Sequence, residues 1–329
     1  MMTKKTNTEH LKETTFIRSE DELFIFGNIK LKEIILEVWN KKLGLLIFNM
    51  TIALCSVFYA LSIPNIYQST ALVKINDPNS NNSGLSNLPG QLGGIASLAG
   101  IDLEGNSNNT DFTVAVLKSK SFMVEFFSQE KVGFYLLALK GWDKTNDTLV
   151  VDSKVYDISS NKWVRDVSYP KKKEPTFLEV YEVFMTEHFS ISEDIESGFF
   201  TIRFNHYSPT VAKNMLESII KMINKQIKQR DLLEAESSIS YLKKKLEGTN
   251  INSLKATFYH LIEKHNQTLM LANIKEDYAL TIIDEPFTPE EKVGPKRAII
   301  CILLTVLGFI ASTLFVVTKY LIRTGKTHD

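Results

Sequence analysis

Two stretches of 21 residues carry no charge: Leu43–Ile63 (LGLLIFNMTIALCSVFYALSI) and Ala298–Thr318 (AIICILLTVLGFIASTLFVVT). A helix rising ~1.5 Å per residue needs about 20 apolar residues to cross roughly 30 Å of hydrocarbon. Buried helices of a soluble core seldom stay charge-free for so long. The two segments therefore predict transmembrane helices at 43–63 and 298–318, which bracket residues 64–297. The first starts after 42 mostly polar residues with no A-x-A-like site behind it, so it reads as an uncleaved anchor.

The flanking charges set the expected orientation. Lys30, Lys32, Lys41 and Lys42 precede the first span, and Lys319, Arg323 and Lys326 follow the second. Positive charge favours the cytoplasmic side, so residues 1–42 and 319–329 are expected to be cytoplasmic segments and 64–297 to lie across the membrane. Lys296 and Arg297 run against this trend, but they end a long loop, and long loops escape the charge rule. Cys55 and Cys301 both fall inside the spans, so the loop folds without a disulfide. Lys+Arg and Asp+Glu balance at 38 each, which supplies no global basic field for nucleic acid.

Along the loop, Ile66–Ile75 (IYQSTALVKI) reads as a strand. Residues 76–110, rich in Asn, Gly and Ser, read as a long loop. Its more apolar middle, 85–103, either packs on its own domain or faces a partner or the membrane. Residues 111–127 read as one amphipathic helix with Asp111 as N-cap, and 177–188 as another helix. Residues 140–175 suit short strands and turns, with Lys171, Lys172 and Lys173 on a solvated loop. FSISED and FFTIRFN flank Glu196-Ser197-Gly198 and form a β-hairpin. Ser208 caps a helix that Pro209 opens.

That helix runs to about Leu246 and ends at Gly248. Its apolar residues step by three and four, as Ala212, Leu216, Ile219 and Ile223, then Leu232, Ala235, Ile239, Leu242 and Leu246. A second helix, about 253–274, leads to a strand at Tyr278–Asp284. The expected fold is an α+β domain with a small membrane-proximal sheet and a very long helix, anchored by two transmembrane helices.

Catalytic signals are weak. TGKT (Thr324–Thr327) lacks the earlier glycine of a phosphate-binding loop. His260 and His265 would lie about 140° apart on a helix, too far to share a metal. Glu193, Asp194 and Glu196 crowd a hairpin turn where exposed acids are ordinary. No cofactor, metal or catalytic residue is expected.

The local strings sharpen the reading. The segment FSISEDIESGFFTIRFNHYSPTVAKNMLESIIKMINKQI, followed by RDLLEAESSISYLKKKLEGT, resembles the hairpin and long helix of the chain-length determinant family, the Wzz-type polysaccharide co-polymerases. Pro286, Pro289, Pro295 and Lys296, with Arg297 beside them, resemble the family's proline-rich approach to the second span, and Gly308 resembles a glycine within it. The likeness covers roughly 30–322, although Glu290, Glu291 and Lys292 break the proline run. No tyrosine-kinase domain is expected after the second span, unlike in some exopolysaccharide relatives.

The resemblance implies a non-enzymatic bacterial inner-membrane protein whose periplasmic domains form a homo-oligomeric ring. It would act beside a polysaccharide polymerase on lipid-linked polysaccharide and set O-antigen chain length. The alternatives are a capsule or exopolysaccharide co-polymerase and, more remotely, a membrane-anchored sensor. The series 232, 235, 239, 242 and 246 is expected to supply subunit contacts. Gly308 with Ser312, and Ser56 with Ala60, make small faces suited to helix packing in the membrane.

Overall fold

A computed structural model describes residues 31–76 and 107–325. The chain divides into two compact units, one of residues 63–295 and one joining the two terminal segments. The terminal unit begins with α1 (Leu31–Asn40) and α2 (Lys42–Ser62).

The central unit is built on β1 (Ile66–Ile75), whose bounds match the sequence expectation. After it come α3 (Ser107–Lys118), α4 (Lys120–Gln129) and α5 (Val132–Leu137). Two small hairpins follow, β2 (Leu139–Asp143) with β3 (Thr148–Val151) and β4 (Tyr156–Asp157) with β5 (Lys162–Trp163). Next are α6 (Phe177–Val183), a π-helical turn (Phe184–His188), and the hairpin β6 (Phe189–Asp194) and β7 (Phe199–His206). The long helix α7 (Pro209–Glu247) and α8 (Asn252–Ile274) precede β8 (Leu280–Asp284) and β9 (Lys292–Gly294).

The main sheet is antiparallel in the order β6-β7-β1-β8, with β9 pairing the start of β1. Alternate residues of β1 and β7 are buried, as an amphipathic strand requires: Ala71 and Val73 on one, Phe200, Ile202 and Phe204 on the other. Leu216, Ile219 and Ile223 of α7 join them in one core, with Phe122, Phe126 and Phe184. Phe184 lies 5.7 Å from Phe204 and 5.3 Å from Phe189, ring centre to ring centre.

Three hairpins share one construction. Each first strand ends in an aspartate (Asp143, Asp157, Asp194), and four residues intervene before the next strand. The last loop residue has positive φ: 48° at Asp147, 53° at Asn161 and 68° at Gly198. The aspartate Oδ1 accepts the backbone N–H two residues on, from Thr145, Ser159 and Glu196. A short acid that turns its own chain, followed by a residue tolerant of the left-handed region, is a local recipe for reversal. The Thr145 N–H on Asp143, and above all the Ser160 and Ser197 hydroxyls on Asp157 and Asp194, hold the three carboxyls below the ordinary aspartate range.

Several expectations are revised. The single helix over 111–127 is two helices. Ser119 accepts the N–H of Phe122 at 3.2 Å and caps α4, so the cap is Ser119 and not Asp111. The break lets Leu117, Phe122, Met123 and Phe126 all reach the core. Residues 107–110, read as loop, are helical, and 77–106 lie outside the described residues. The helix over 177–188 loosens into the π turn, with Phe184 and His188 both buried. A short strand, β9, lies within the proline-rich run.

Residues 278 and 279 precede β8 rather than belonging to it. Buried Asn224 on α7 accepts the N–H of Ala279 at 2.8 Å and of Leu280 at 2.7 Å. It also donates to the Leu280 carbonyl at 3.1 Å. A side-chain amide thus meets the strand as a neighbouring strand would.

The long helix begins as its sequence says. Ser208 Oγ accepts the Val211 N–H, and Pro209 occupies the first turn. Its 39 residues span roughly 58 Å at ~1.5 Å each. Ala212, Leu216, Ile219 and Ile223 pack on the sheet. Farther out, Ala235, Ile239 and Leu242 are also buried, in a hairpin with α8. Their stripe is covered within one chain and does not by itself call for a second copy.

The terminal unit closes with α9 (Arg297–Gly325), which packs along α2.

Candidate functional site

Sequence patterning singled out three regions. The first is the pair α2–α9, whose two helices are long and apolar enough to cross a membrane. Ser56, Ala60 and Ser312 are all buried in this unit. Gly308 faces Ile52, and a Cβ at Gly308 would stand 2.6 Å from Ile52 Cδ1 and 2.9 Å from its Cγ2. Any side chain at 308 would require Ile52 to shift.

Asn49 was missed by sequence reasoning. Its Nδ2 donates to Leu45 O at 2.9 Å and to Ser312 Oγ at 3.2 Å, linking the helices. A lone Asn within a charge-free stretch was the available signal, because such side chains seek partners between helices. The Asn49 Oδ1 is buried without a partner. Beside it runs a groove of about 580 Å³ with Gly44, Ala311 and Ser312 among its lining and Phe48 and Phe315 at its sides. Leu46, Met50, Phe58, Leu307 and Phe309 are exposed elsewhere on the pair.

The second region is the proline run. Pro286 is buried, Pro289 and Pro295 are half-buried, and Lys296 is exposed. The Phe287 carbonyl accepts the Ser69 hydroxyl at 3.0 Å, and β9 pairs with Ile66 and Tyr67. The segment is stitched to β1 by hydrogen bonds as well as stiffened by its prolines. Half-buried Arg297 opens α9.

The third is the α7–α8 hairpin. With Ala235, Ile239 and Leu242 buried inside it and Leu232 and Leu246 half-buried, its outward apolar residues are others: Leu233 and Tyr241 on α7, and Leu254, Tyr259, Met270 and Ile274 on α8.

The buried and paired titratable groups of the described residues serve the fold. Among the described residues no cluster of three His, Cys, Asp or Glu could hold a metal. His188 and His206 are buried with ring centres 6.2 Å apart, and burial holds both below the ordinary histidine pKa. Both are spoken for by backbone: the His188 Nδ1 lies 2.7 Å from Asn205 O and the His206 Nε2 3.0 Å from Tyr135 O. Arg165 forks onto Glu179 and holds its carboxyl below the ordinary range. These roles are structural.

Residues 27–130 match the family profile "Wzz: Chain length determinant protein". Residues 250–321 match "GNVR: G-rich domain on putative tyrosine kinase". No curated protein matches the sequence. A solved "full-length bacterial polysaccharide co-polymerase" is similar at 11% identity and a TM-score of 0.37, over 89% of this chain and 98% of that one. A fragment of the polysaccharide co-polymerase WzzB from Salmonella Typhimurium is similar at 11% identity and a TM-score of 0.28, over 70% of this chain and all of that one.

Proposed function

Because the chain belongs to the chain length determinant family of polysaccharide co-polymerases, we propose that it sets the length of a lipid-linked surface polysaccharide, the O-antigen of lipopolysaccharide. The two family matches, which take in both apolar helices and the elements next to them, carry this reading. In it, residues 43–63 and 298–318 span the bacterial inner membrane. Residues 1–42 and 319–329 lie in the cytoplasm, and 64–297 form the periplasmic domain.

The protein acts without catalysing a reaction. Several copies stand side by side, the outward apolar residues of the α7–α8 hairpin meet between them, and the polymer grows in their company. The groove at Gly44, Ala311 and Ser312 suits a further helix, and in this reading the polymerase supplies it, because small residues let helices approach closely in lipid. The proline run leads through Lys296 and Arg297 into the second span.

A second reading, a capsule or exopolysaccharide co-polymerase, is favoured by the GNVR match, since that domain's description ties it to a kinase. One experiment separates them. A deletion strain is profiled for both lipopolysaccharide and capsule. Loss of the modal lipopolysaccharide band, restored by the gene in trans, supports the O-antigen reading. A change confined to capsule or exopolysaccharide moves the protein to the second reading, and no change in either overturns both.

A further inference from the structure

The β4–β5 hairpin, the helices α4 and α5 and the chain between 164 and 176 bring together residues that the family reading does not use. They border a cleft of about 610 Å³, within the ~300–1,000 Å³ usual for small-ligand sites. Phe134, Tyr156 and Trp163 line it together with Lys131, Asn161 and Glu174. Tyr156 meets Phe134 edge-on at 5.0 Å and Trp163 edge-on at 5.2 Å, between ring centres. All three aromatic residues are only half-buried, so part of their ring surface is left to a ligand.

The polar groups of the cleft are also largely unused. The Asn161 Oδ1 accepts the Tyr156 hydroxyl, which leaves its Nδ2 without a protein acceptor among the described residues. The Trp163 indole N–H, the Lys131 ammonium and the Glu174 carboxylate likewise have no protein partner there.

The walls are fixed in place. Arg165 donates to the carbonyl oxygens of Lys173 at 2.7 Å and Lys172 at 2.8 Å, while its fork holds Glu179 on α6. That clamp sets the position of the strand of chain carrying Glu174. Tyr156 and Trp163 oppose each other in the β4–β5 ladder, whose turn is locked by Asp157 and by Asn161 at positive φ. A site built before its ligand arrives loses less on ordering it.

From this we infer that the cleft binds a short run of uncharged pyranose units. A pyranose ring offers an apolar C–H face, which suits an aromatic platform, and a rim of hydroxyls that both donate and accept. The lining supplies donors from Trp163, Asn161 and Lys131 and an acceptor from Glu174. The Lys131 and Glu174 charges cancel, so the cleft favours a neutral ring over a uronate or a phosphate. A purely apolar peptide would leave all four polar groups without partners, at a cost for each one buried. The inference rests on the proposed function for its source of sugar: the growing polymer is held by each copy at a point outside the membrane.

The test uses the full chain in lipid nanodiscs. The probe is the neutral oligosaccharide repeat released by mild acid from the producing strain's own polysaccharide, with galacturonate and inorganic phosphate as charged comparisons. Binding is read by calorimetry and by saturation-transfer NMR. The repeat should bind saturably, and W163A should weaken it roughly three- to tenfold, the usual weight of one aromatic contact. W163F keeps the ring and should bind nearly as the parent does, even if W163A folds poorly. N161G keeps the turn, since glycine accepts positive φ, and should also weaken binding.

Absence of binding to the parent, or unchanged affinity in both W163A and N161G, overturns the proposal. So does tighter binding of galacturonate or phosphate, or a photo-cross-linker at Asn161 that captures protein and never glycan. The deletion experiment is independent. Binding without a chain-length phenotype sinks the functional reading and keeps the cleft, and the reverse sinks only the cleft.

Discussion

Ser208 donates its backbone N–H to the Nδ1 of His206 at 3.0 Å, two residues before it and inside the core. On the other side of the ring, Nε2–H donates to the Tyr135 carbonyl at 3.0 Å. Only the neutral, Nε2-protonated imidazole satisfies both. Burial, with a smaller contribution from nearby His188, lowers the His206 pKa from the ordinary 6.5 to about 4. The folded pKa lies below the unfolded one, so the unfolded chain takes up the proton first and acid favours it. The stabilisation is complete above pH ~6.5 and is lost progressively toward pH ~4, amounting to about 3 kcal/mol. His188 is shifted in the same direction and adds to the slope. Denaturant midpoints of the solubilised protein, followed by tryptophan fluorescence between pH 7.5 and 4, should fall accordingly. H206Q should flatten the curve, and a parent curve already flat would refute the assignment.

The Gly308–Ile52 approach sets a second expectation. G308L combined with S312L inserts normally, since both changes add apolar surface, but forces α2 and α9 apart and removes the Asn49–Ser312 hydrogen bond. Overpacking of this kind costs about 1–3 kcal/mol. The proposed function then predicts a broad polymer distribution on a lipopolysaccharide or capsule gel at normal protein level on a blot. A modal band like the parent's would show that this helix contact does not carry chain-length control.

Burial separates two kinds of variant on the long helix. L242D places an unpaired charge inside the α7–α8 hairpin and should destabilise the single chain by several kcal/mol. The measurable sign is faster proteolysis at the connection 248–251. L233D alters a residue that is 68% exposed and should leave folding unchanged. Cross-linking in membranes should show fewer high oligomers for L233D if this face meets a neighbour. Oligomers equal to those of the parent would remove the face from any interface.

The shared hairpin recipe is testable at Gly198, where φ is +68° and a Cβ would meet no neighbour. G198V therefore isolates backbone strain and should cost about 1–2 kcal/mol. N161G should be neutral or stabilising by thermal melting. A G198V melt superimposable on the parent's would mean that the turn relaxes to another conformation.

Local signals made much of the central unit legible. β-Branched and aromatic content marked Ile66–Ile75, the Glu196-Ser197-Gly198 turn marked the β6–β7 hairpin, and Ser208-Pro209 marked the start of α7. Elements set by distant partners were not legible. The break at Ser119 lets side chains on two helices reach one core, and the late start of β8 reflects Asn224, more than fifty residues earlier. The distal stripe of α7 was read correctly as apolar but assigned to neighbouring copies, because nothing in its spacing says which surface covers it. At the candidate sites, the small residues Gly308 and Ser312 stood out by spacing. Phe134 shares no period with Tyr156 and Trp163, and their meeting depends on the way the β4–β5 hairpin packs against α5.

The amide of Asn224 has a consequence for assembly symmetry. A closed ring of more than two copies joins unlike patches, head to tail, whereas a two-fold pair joins like to like. A continuous sheet running from copy to copy would therefore need both of its edges open. At β8, Asn224 already holds both hydrogen-bonding groups of Leu280 and the N–H of Ala279. Strand addition at the start of that flank is blocked, in the manner by which natural sheets guard their edges. On the opposite flank, β6 pairs only with β7 among the described residues and ends in Glu193 and Asp194. Main-chain pairing through β6 alone would join like to like and give a dimer. Among the described residues, closure of a larger ring falls to side chains.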